Sequence, residues 1–374
     1  MTKNNEKVIM LGKIKISSRQ FSILIAIYMI GSAILNIPAM LQIVAKQDTW
    51  ISTIVALVVG LCVLPLYIYL GNRFAHANFT WYIEKLLGKW LGKIVALLFL
   101  VTFPAIVAIL TLRNIGDFMT TQILEDTPIQ AILIIILSVV IMGARLGLEP
   151  LARAAELFFP FIMVLLIVFI VLAFPHINFN NVQPVLENGL KPVLKASLIF
   201  IAYPFLEPII LSMLFPSVQH TEKNGKALFT GVLIGGFIMV VITILTILVL
   251  GTQTVSFAYP SYALAKLIRL GDFLVRIEII MAVIWFITIF VRLALLFYIS
   301  IVGIAQVLNL KDYRSLTFPI ALLLVPLSLL AFPNAAYFQE FTPIWTIHAL
   351  VMGFIFPLLL WLIDILKGGG KKTP

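Results

Sequence analysis

The sequence predicts an all-α membrane protein of about ten transmembrane helices. Composition, the spacing of apolar runs and the placement of basic residues carry that prediction. Of the 374 residues, 62% are hydrophobic and 11% charged, far from the roughly half-apolar, quarter-charged make-up of a soluble domain. The mean hydropathy is +1.12. A helix needs about 20 apolar residues to cross a bilayer. Apolar runs fall near residues 20–44, 49–71, 94–112, 128–144, 155–174, 193–215, 228–250, 277–303, 316–332 and 343–366. A membrane barrel would show short alternating segments, and hydrocarbon leaves no unpaired backbone, so these runs are helices. The connections are too short for a soluble domain, and residues 1–374 are expected to form one integral-membrane domain. The tail Lys367 to Pro374, with three glycines, is expected to carry no signalling or nucleotide-binding module.

The net charge is +10. In a soluble protein this would suggest nucleic acid, but here the basic residues sit in short loops, as topology signals do. Of the 26 lysines and arginines, eighteen fall on one side of the span pattern (Lys15, Arg73, Arg145 and Lys367 among them), seven on the other, and Arg292 inside a span. The positive-inside rule therefore puts both termini in the cytoplasm, which requires an even number of spans. The basic N-terminus followed by an apolar run imitates a signal peptide. That run continues through Ile43 without a small-residue cleavage pattern, so an uncleaved first span is expected. The single Cys62 excludes a disulfide framework or a thiolate metal site. His76, His176, His220 and His348 are scattered. No cofactor or metal is expected, and there is no nucleophile–base constellation, P-loop or zinc spacing to suggest an enzyme.

Two loops carry amphipathic patterning. Phe79 to Lys93 mixes Trp81, Tyr82, Leu86, Leu87, Trp90 and Leu91 with Glu84, Lys85 and Lys89, and Tyr259 to Leu270 is a shorter candidate on the outer side. Both are expected to be membrane-surface anchors.

The candidate site lies where two spans are interrupted. The first contains Gly31-Ser32-Ala33-Ile34-Leu35-Asn36-Ile37-Pro38, where small residues favour unwinding and Pro38 cannot donate to the Ile34 carbonyl. The sixth contains Tyr203-Pro204-Phe205-Leu206-Glu207-Pro208, whose prolines strip the helical donors from the carbonyls of Phe200 and Pro204. Breaks at matching positions of two five-span halves are the mark of a mid-membrane transporter-type site, and Glu207 inside one of them strengthens it. An α-amino acid suits such a site. Its carboxylate would meet free N–H groups near Ser32 and Ala33 at a positive helix end. Its ammonium would meet the carbonyls released in the sixth span.

The block Gly31 to Pro38 resembles the G-S-G-I-F-x-x-P signature of amino-acid permeases, with Ala33 and Leu35 substituted. Further blocks resemble the B subunits of spore germinant receptors: Lys15-Ile16-Ser17-Ser18-Arg19-Gln20, Leu112-Arg113 through Thr127-Pro128, and Gly143-Ala144-Arg145-Leu146-Gly147-Leu148-Glu149 with Ala152-Arg153-Ala154-Ala155-Glu156. Tyr259-Pro260, Gly271-Asp272-Phe273, Arg276-Ile277-Glu278, Trp285 and Phe290-Val291-Arg292 continue the pattern in the family's order. The resemblance implies a LeuT-type fold of two inverted five-helix repeats, about 18–174 and 193–366. It also implies nutrient sensing at the inner membrane of a dormant spore, with partner subunits of A and C type. In that fold the ligand's side chain meets the third and eighth spans, which nominates Val107 and Thr288. Where the family often has F-P-F-G-E, this chain has Leu206 in place of glycine, which affects the expected pocket size.

The expected ligand-binding set is therefore Gly31, Ser32, Ala33, Ile34, Val107, Tyr203, Pro204, Phe205, Leu206, Glu207 and Thr288. Arg292 lies well inside the eighth run, where a lipid-facing guanidinium costs at least about 2.5 kcal/mol. Two readings stand. Arg292 is either a fixed internal counter-charge, paired with Glu207 or the carbonyl end near Ile30 where related transporters hold sodium, or it snorkels to the headgroups. Two functions also stand: a receptor subunit, or an ion-coupled amino-acid transporter. The fifth span holds no ionisable residue beyond Glu156, so the lysine that serves some proton-coupled permeases is absent, which favours the receptor.

Overall fold

A computed structural model describes residues 15–75, 78–219, 221–268, 276–332 and 337–367. His76, Arg269, His220, the Gly271-Asp272-Phe273 block, the first fourteen residues and the tail beyond Lys367 lie outside the described residues. The first span is split into α1 (Ser18–Ala33) and α2 (Ile37–Ala45), and α3 (Thr49–Ala75) follows as the second. A short α4 (Phe79–Leu87) precedes the third span, made of α5 (Lys89–Leu100), a π turn (Val101–Ala105) and α6 (Ile106–Gln122). The fourth and fifth spans are α7 (Ile129–Leu146) and α8 (Leu148–Ala173). The sixth is broken: α9 (Leu190–Phe200), a π turn (Ile201–Phe205) and α10 (Pro208–Ser212). Then come α11 (Asn224–Leu250), a short α12 (Pro260–Leu267), α13 (Glu278–Val307) and α14 (Thr317–Ala331). The tenth span joins α15 (Tyr337–Ala349) through a π turn to α16 (Phe356–Leu366).

Among the described residues, nine helical stretches are long and apolar enough to cross a membrane. The first span is not one of them because its break leaves α1 only 16 residues, while α2 runs on into the second span. All ten apolar runs are thus helical.

The centre of the bundle is α1, buried on every side from Ile23 to Ala33, as a helix apolar all round should be. Its N-terminus is fixed by a capping box, Ser17 Oγ accepting from the Gln20 N–H and the Gln20 side chain accepting from the Ser17 N–H. It packs on α11 and α13. The approach to α11 is backbone-close: a Cβ on Gly231 would lie 2.6 Å from the Ser22 carbonyl oxygen, and one on Gly235 would collide with Met29. Small residues at such contacts replace the hydrophobic drive that lipid removes. Peripheral spans are one-sided, with Leu157, Leu322 and Leu330 exposed where lipid would lie.

Three boundaries differ from the sequence reading. The third span runs on to Gln122, so Arg113 is buried inside it, paired with Asp117 at 2.9 Å and donating to the Leu329 carbonyl of α14. A charge followed four residues later by its partner hides from a hydropathy count. The amphipathic stretch 79–93 divides at Gly88 (φ 88°) into α4 and the start of the third span. The anchor expected at 259–270 is instead a packed element: α12 is buried from Pro260 to Ala265, and it covers the break in the first span.

Candidate functional site

The break in the first span is a single turn, Ile34-Leu35-Asn36, between α1 and α2. Pro38 leaves the Ile34 carbonyl without its helical donor, and the Ser261 hydroxyl of α12 supplies one at 2.8 Å. Asn36 donates through its side chain to the Ala258 carbonyl. Gly31, Ser32 and Ala33 remain helical, so their N–H groups do not form the open helix end expected from the sequence. The turn is too short to free them. In the sixth span the helix widens into a π turn at Pro204, which accommodates the proline ring and its missing N–H. The chain then breaks at Leu206-Glu207. The Leu206 carbonyl accepts from the buried Tyr67 hydroxyl at 3.2 Å.

Beside this break lies a buried charge cluster. Arg292 of α13 meets Glu207 through two bonds, Nη1 to Oε2 at 2.7 Å and Nη2 to Oε1 at 2.9 Å. The Tyr28 hydroxyl of α1 donates to Glu207 Oε2 at 2.9 Å, and the guanidinium lies 4.5 Å from the Tyr28 ring centroid. Arg292 also reaches the Tyr28 carbonyl at 3.5 Å and Thr111 Oγ1 at 3.4 Å. Of the two readings of Arg292, the structure has the internal one: the residue is 4% exposed and Glu207 0%. The cluster ties the first, third, sixth and eighth spans at one point, and bidentate, hydrogen-bonded pairing is what makes two buried charges tolerable.

A cavity of about 30 Å³ opens onto the pair, lined by Ser32, Val107, Leu110, Thr111, Asn114, Tyr203, Glu207, Arg292, Phe341 and Trp345. Trp345 is 2% exposed, and its indole N–H has no hydrogen-bond partner among the described residues. Such a buried donor is costly unless something else satisfies it. The Tyr203 ring packs on Trp345 with centroids 6.1 Å apart.

Of the residues nominated from sequence, Ser32, Val107, Tyr203, Glu207 and Arg292 line this cavity; the others do not. A Cβ on Gly31 would lie 2.5 Å from the Thr288 carbonyl oxygen, so Gly31 is where the first and eighth spans touch. Thr288 returns its hydroxyl to the Ile284 and Trp285 carbonyls of its own helix. The Ala33 carbonyl accepts from Asn36, and Ile34 faces α12 through Ser261. Pro204 shapes the π turn, and the Phe205 ring fills the space over Gly60 and Gly236 of the second and seventh spans. Leu206 packs against Gly353 of the tenth span, so its replacement of glycine bears on that contact rather than on the cavity wall.

Tyr28, Leu110, Thr111, Asn114, Phe341 and Trp345 were missed. For Thr111 and Asn114 a signal existed: Val107, Thr111 and Asn114 stand at helical spacing on one face, and polar groups inside a span are functional candidates. For Phe341 and Trp345 there was none.

Among the described residues, no group of three or more His, Cys, Asp or Glu is placed to hold a metal ion.

Ten apolar spans, two of them interrupted around a buried cavity with a charge pair at its edge, define a permease-type membrane protein. Its fold is shared with solved transporters. Mhp1, a nucleobase-cation-symport-1 family transporter in a closed conformation with bromovinylhydantoin bound, superposes with a TM-score of 0.65 at 13% identity, covering 91% of this chain and 80% of that one. The manganese transporter of Eremococcus coleocola gives 0.58 at 12% identity, covering 98% and 92%. These likenesses establish the LeuT-type fold of two inverted five-helix repeats. The family described as spore germination protein matches residues 15–336, and the chain belongs to it. Spore germination protein KB of Bacillus subtilis (strain 168) is 29% identical over 363 residues, covering 95% of this chain and 96% of that protein. Putative spore germination protein YfkT of the same strain is 30% identical over 344 residues, covering 90% and 93%. Spore germination protein XB of Bacillus anthracis is 22% identical over 357 residues, covering 93% and 98%.

Proposed function

We propose that this chain is the nutrient-sensing subunit of a bacterial spore germinant receptor. It binds an L-amino acid in the mid-span cavity and signals to A-type and C-type subunits to trigger germination. It works in the spore inner membrane with both termini cytoplasmic, as one domain whose repeats span about 18–174 and 193–366. Membership of the spore germination family supports the setting. The observation that carries the ligand class is the Arg292–Glu207 pair at the cavity edge.

A zwitterion carries the same two charges as that pair. Its carboxylate can take Arg292 and its ammonium Glu207, so neither buried charge is left alone, a condition that costs about 3–5 kcal/mol. The exchange must move the protein. A cavity of about 30 Å³ holds only a water or two, so Glu207 and Arg292 have to separate to admit a ligand. The sixth span then shifts against the eighth, and that shift is the signal. The ligand's side chain meets Val107, Tyr203 and Phe341, while Asn114 and the Trp345 N–H offer hydrogen bonds. Replacing Asn114 by leucine is expected to raise the amino-acid concentration for half-maximal germination about tenfold, the value of one buried hydrogen bond, at unchanged protein level. An unchanged dose response would remove Asn114 from the site.

The second reading, an ion-coupled amino-acid transporter, draws on the solved transporters of the same fold. Uptake into proteoliposomes separates the two. The receptor reading expects no accumulation driven by a sodium or proton gradient, and gradient-driven accumulation would favour the transporter. Orientation has its own test: reporters fused at Lys372 and in the loop 178–187 should report opposite sides of the membrane. The same side for both would contradict the ten-span topology.

A further inference from the structure

A larger cavity lies on the face opposite the N-terminal entry to the first span, remote from the central pair. Its volume is about 560 Å³, and Gln42, Lys46, Gln47, Asn181, Gln183 and Glu187 are among its lining residues. The size falls within the range of small-molecule sites, about 300–1,000 Å³. Three segments build it: the end of α2, the loop 178–187 and the stretch after α11.

The walls are held by hydrogen bonds. Gln42 Nε2 donates to the Gly251 carbonyl at 2.7 Å, Gln47 Nε2 to the Pro184 carbonyl at 3.0 Å and to Glu187 Oε2 at 3.1 Å, and Asn181 Nδ2 to the Leu248 carbonyl at 2.8 Å. The Leu186 N–H donates to Asp48 Oδ1 at 2.8 Å, which pins the loop to the end of the first span. The cavity thus has a fixed shape before anything enters, which lowers the ordering cost of binding. Gln42 is 4% exposed, and its Oε1 has no hydrogen-bond partner among the described residues. A buried acceptor in that condition is unusual.

We propose that this cavity is a second solute site, for a small molecule of zero net charge dense in hydroxyl or amide groups. Carboxamides are both donors and acceptors, and Gln42, Gln47, Asn180, Asn181 and Gln183 bring five of them to one cavity. Lys46 and Glu187 oppose each other in sign, so the site does not select for net charge. A polyol and an amide-bearing amino acid share this chemistry. The bound solute would bridge the end of the first span to that of the seventh, and so bias the half-helix that follows the central break. This proposal is independent of what the central cavity binds.

The test is equilibrium dialysis of the purified full-length chain in detergent with labelled mannitol and, separately, labelled L-asparagine. Binding is measured rather than thermal stability because polyols stabilise proteins non-specifically by exclusion. Saturable one-to-one binding of at least one probe is expected. Gln183→Leu should weaken it about tenfold, Val255→Trp should abolish it by filling the cavity, and the central variant Asn114→Leu should leave it intact. Size-exclusion profiles matching wild type certify the variants, and Asn180→Ala, at an exposed position, replaces any that fails. Mannitol binding alone that Gln183→Leu weakens identifies a polyol site, and asparagine binding alone that Gln183→Leu weakens identifies an amino-acid site distinct from the central cavity. Absence of saturable binding for both probes, or loss through Asn114→Leu without loss through Gln183→Leu, would overturn the proposal.

Discussion

Replacing Arg292 by glutamine is expected to abolish the germination response and to lower the amount of folded protein several-fold. Among the described residues the change leaves buried Glu207 with the Tyr28 hydroxyl as its side-chain partner, and an uncompensated buried charge costs about 3–5 kcal/mol. Arg292→Lys should restore much of the protein level but little of the response, because an ammonium cannot make the bidentate contact. The double change Arg292→Met with Glu207→Leu should recover the level, since apolar replacement of a buried pair is often neutral or stabilising, while the response stays absent. Immunoblots of spore membranes read the level, and dose–response curves read the function. If Arg292→Gln spores keep wild-type amount and sensitivity, the pair has no role in sensing.

Gly31→Ala is the second large effect, and its cause is packing. The added methyl would sit 2.5 Å from the Thr288 carbonyl oxygen and 2.8 Å from the Ile289 nitrogen. Both neighbours are backbone in a rigid helix and cannot rotate away, so the first and eighth spans must part, and overpacking of this kind costs about 1–3 kcal/mol or more. Parting those helices also pulls Tyr28 from Arg292, three residues from the glycine. Loss of response with a reduced protein level is expected, and Gly31→Val should be worse. Normal level and normal response in Gly31→Ala spores would contradict the close approach.

The fold was legible because each span writes its own apolar run, and because Pro38, Pro204 and Pro208 mark the two breaks directly. The site was legible only in part. Glu207 and Arg292 stood out as charges inside apolar runs, and naming Glu207 as a partner of Arg292 needed no more than that. The carboxylate-receiving N–H groups at Ser32 and Ala33 did not follow, because a break in sequence does not reveal how many residues unwind; here Ser261, 227 residues from Ile34, meets the freed carbonyls of Ile34 and Leu35 through its hydroxyl and its N–H. Thr288 was assigned to the ligand although its hydroxyl is returned to its own helix. Trp345 closes the cavity through tertiary packing of the tenth span, which no local pattern records.

The exchange of ligand charges for the Arg292–Glu207 pair is tested most directly with the ligand itself. On the proposed function, the L-amino acid found to trigger germination through this chain is compared with two analogues, the amine lacking its carboxylate and the acid lacking its ammonium. Each analogue leaves one member of the buried pair without a partner, and both should be weaker by about 100-fold or more, at about 1.4 kcal/mol per tenfold. Equal potency of the amino acid and either analogue, or germination by no amino acid at all, would contradict the account.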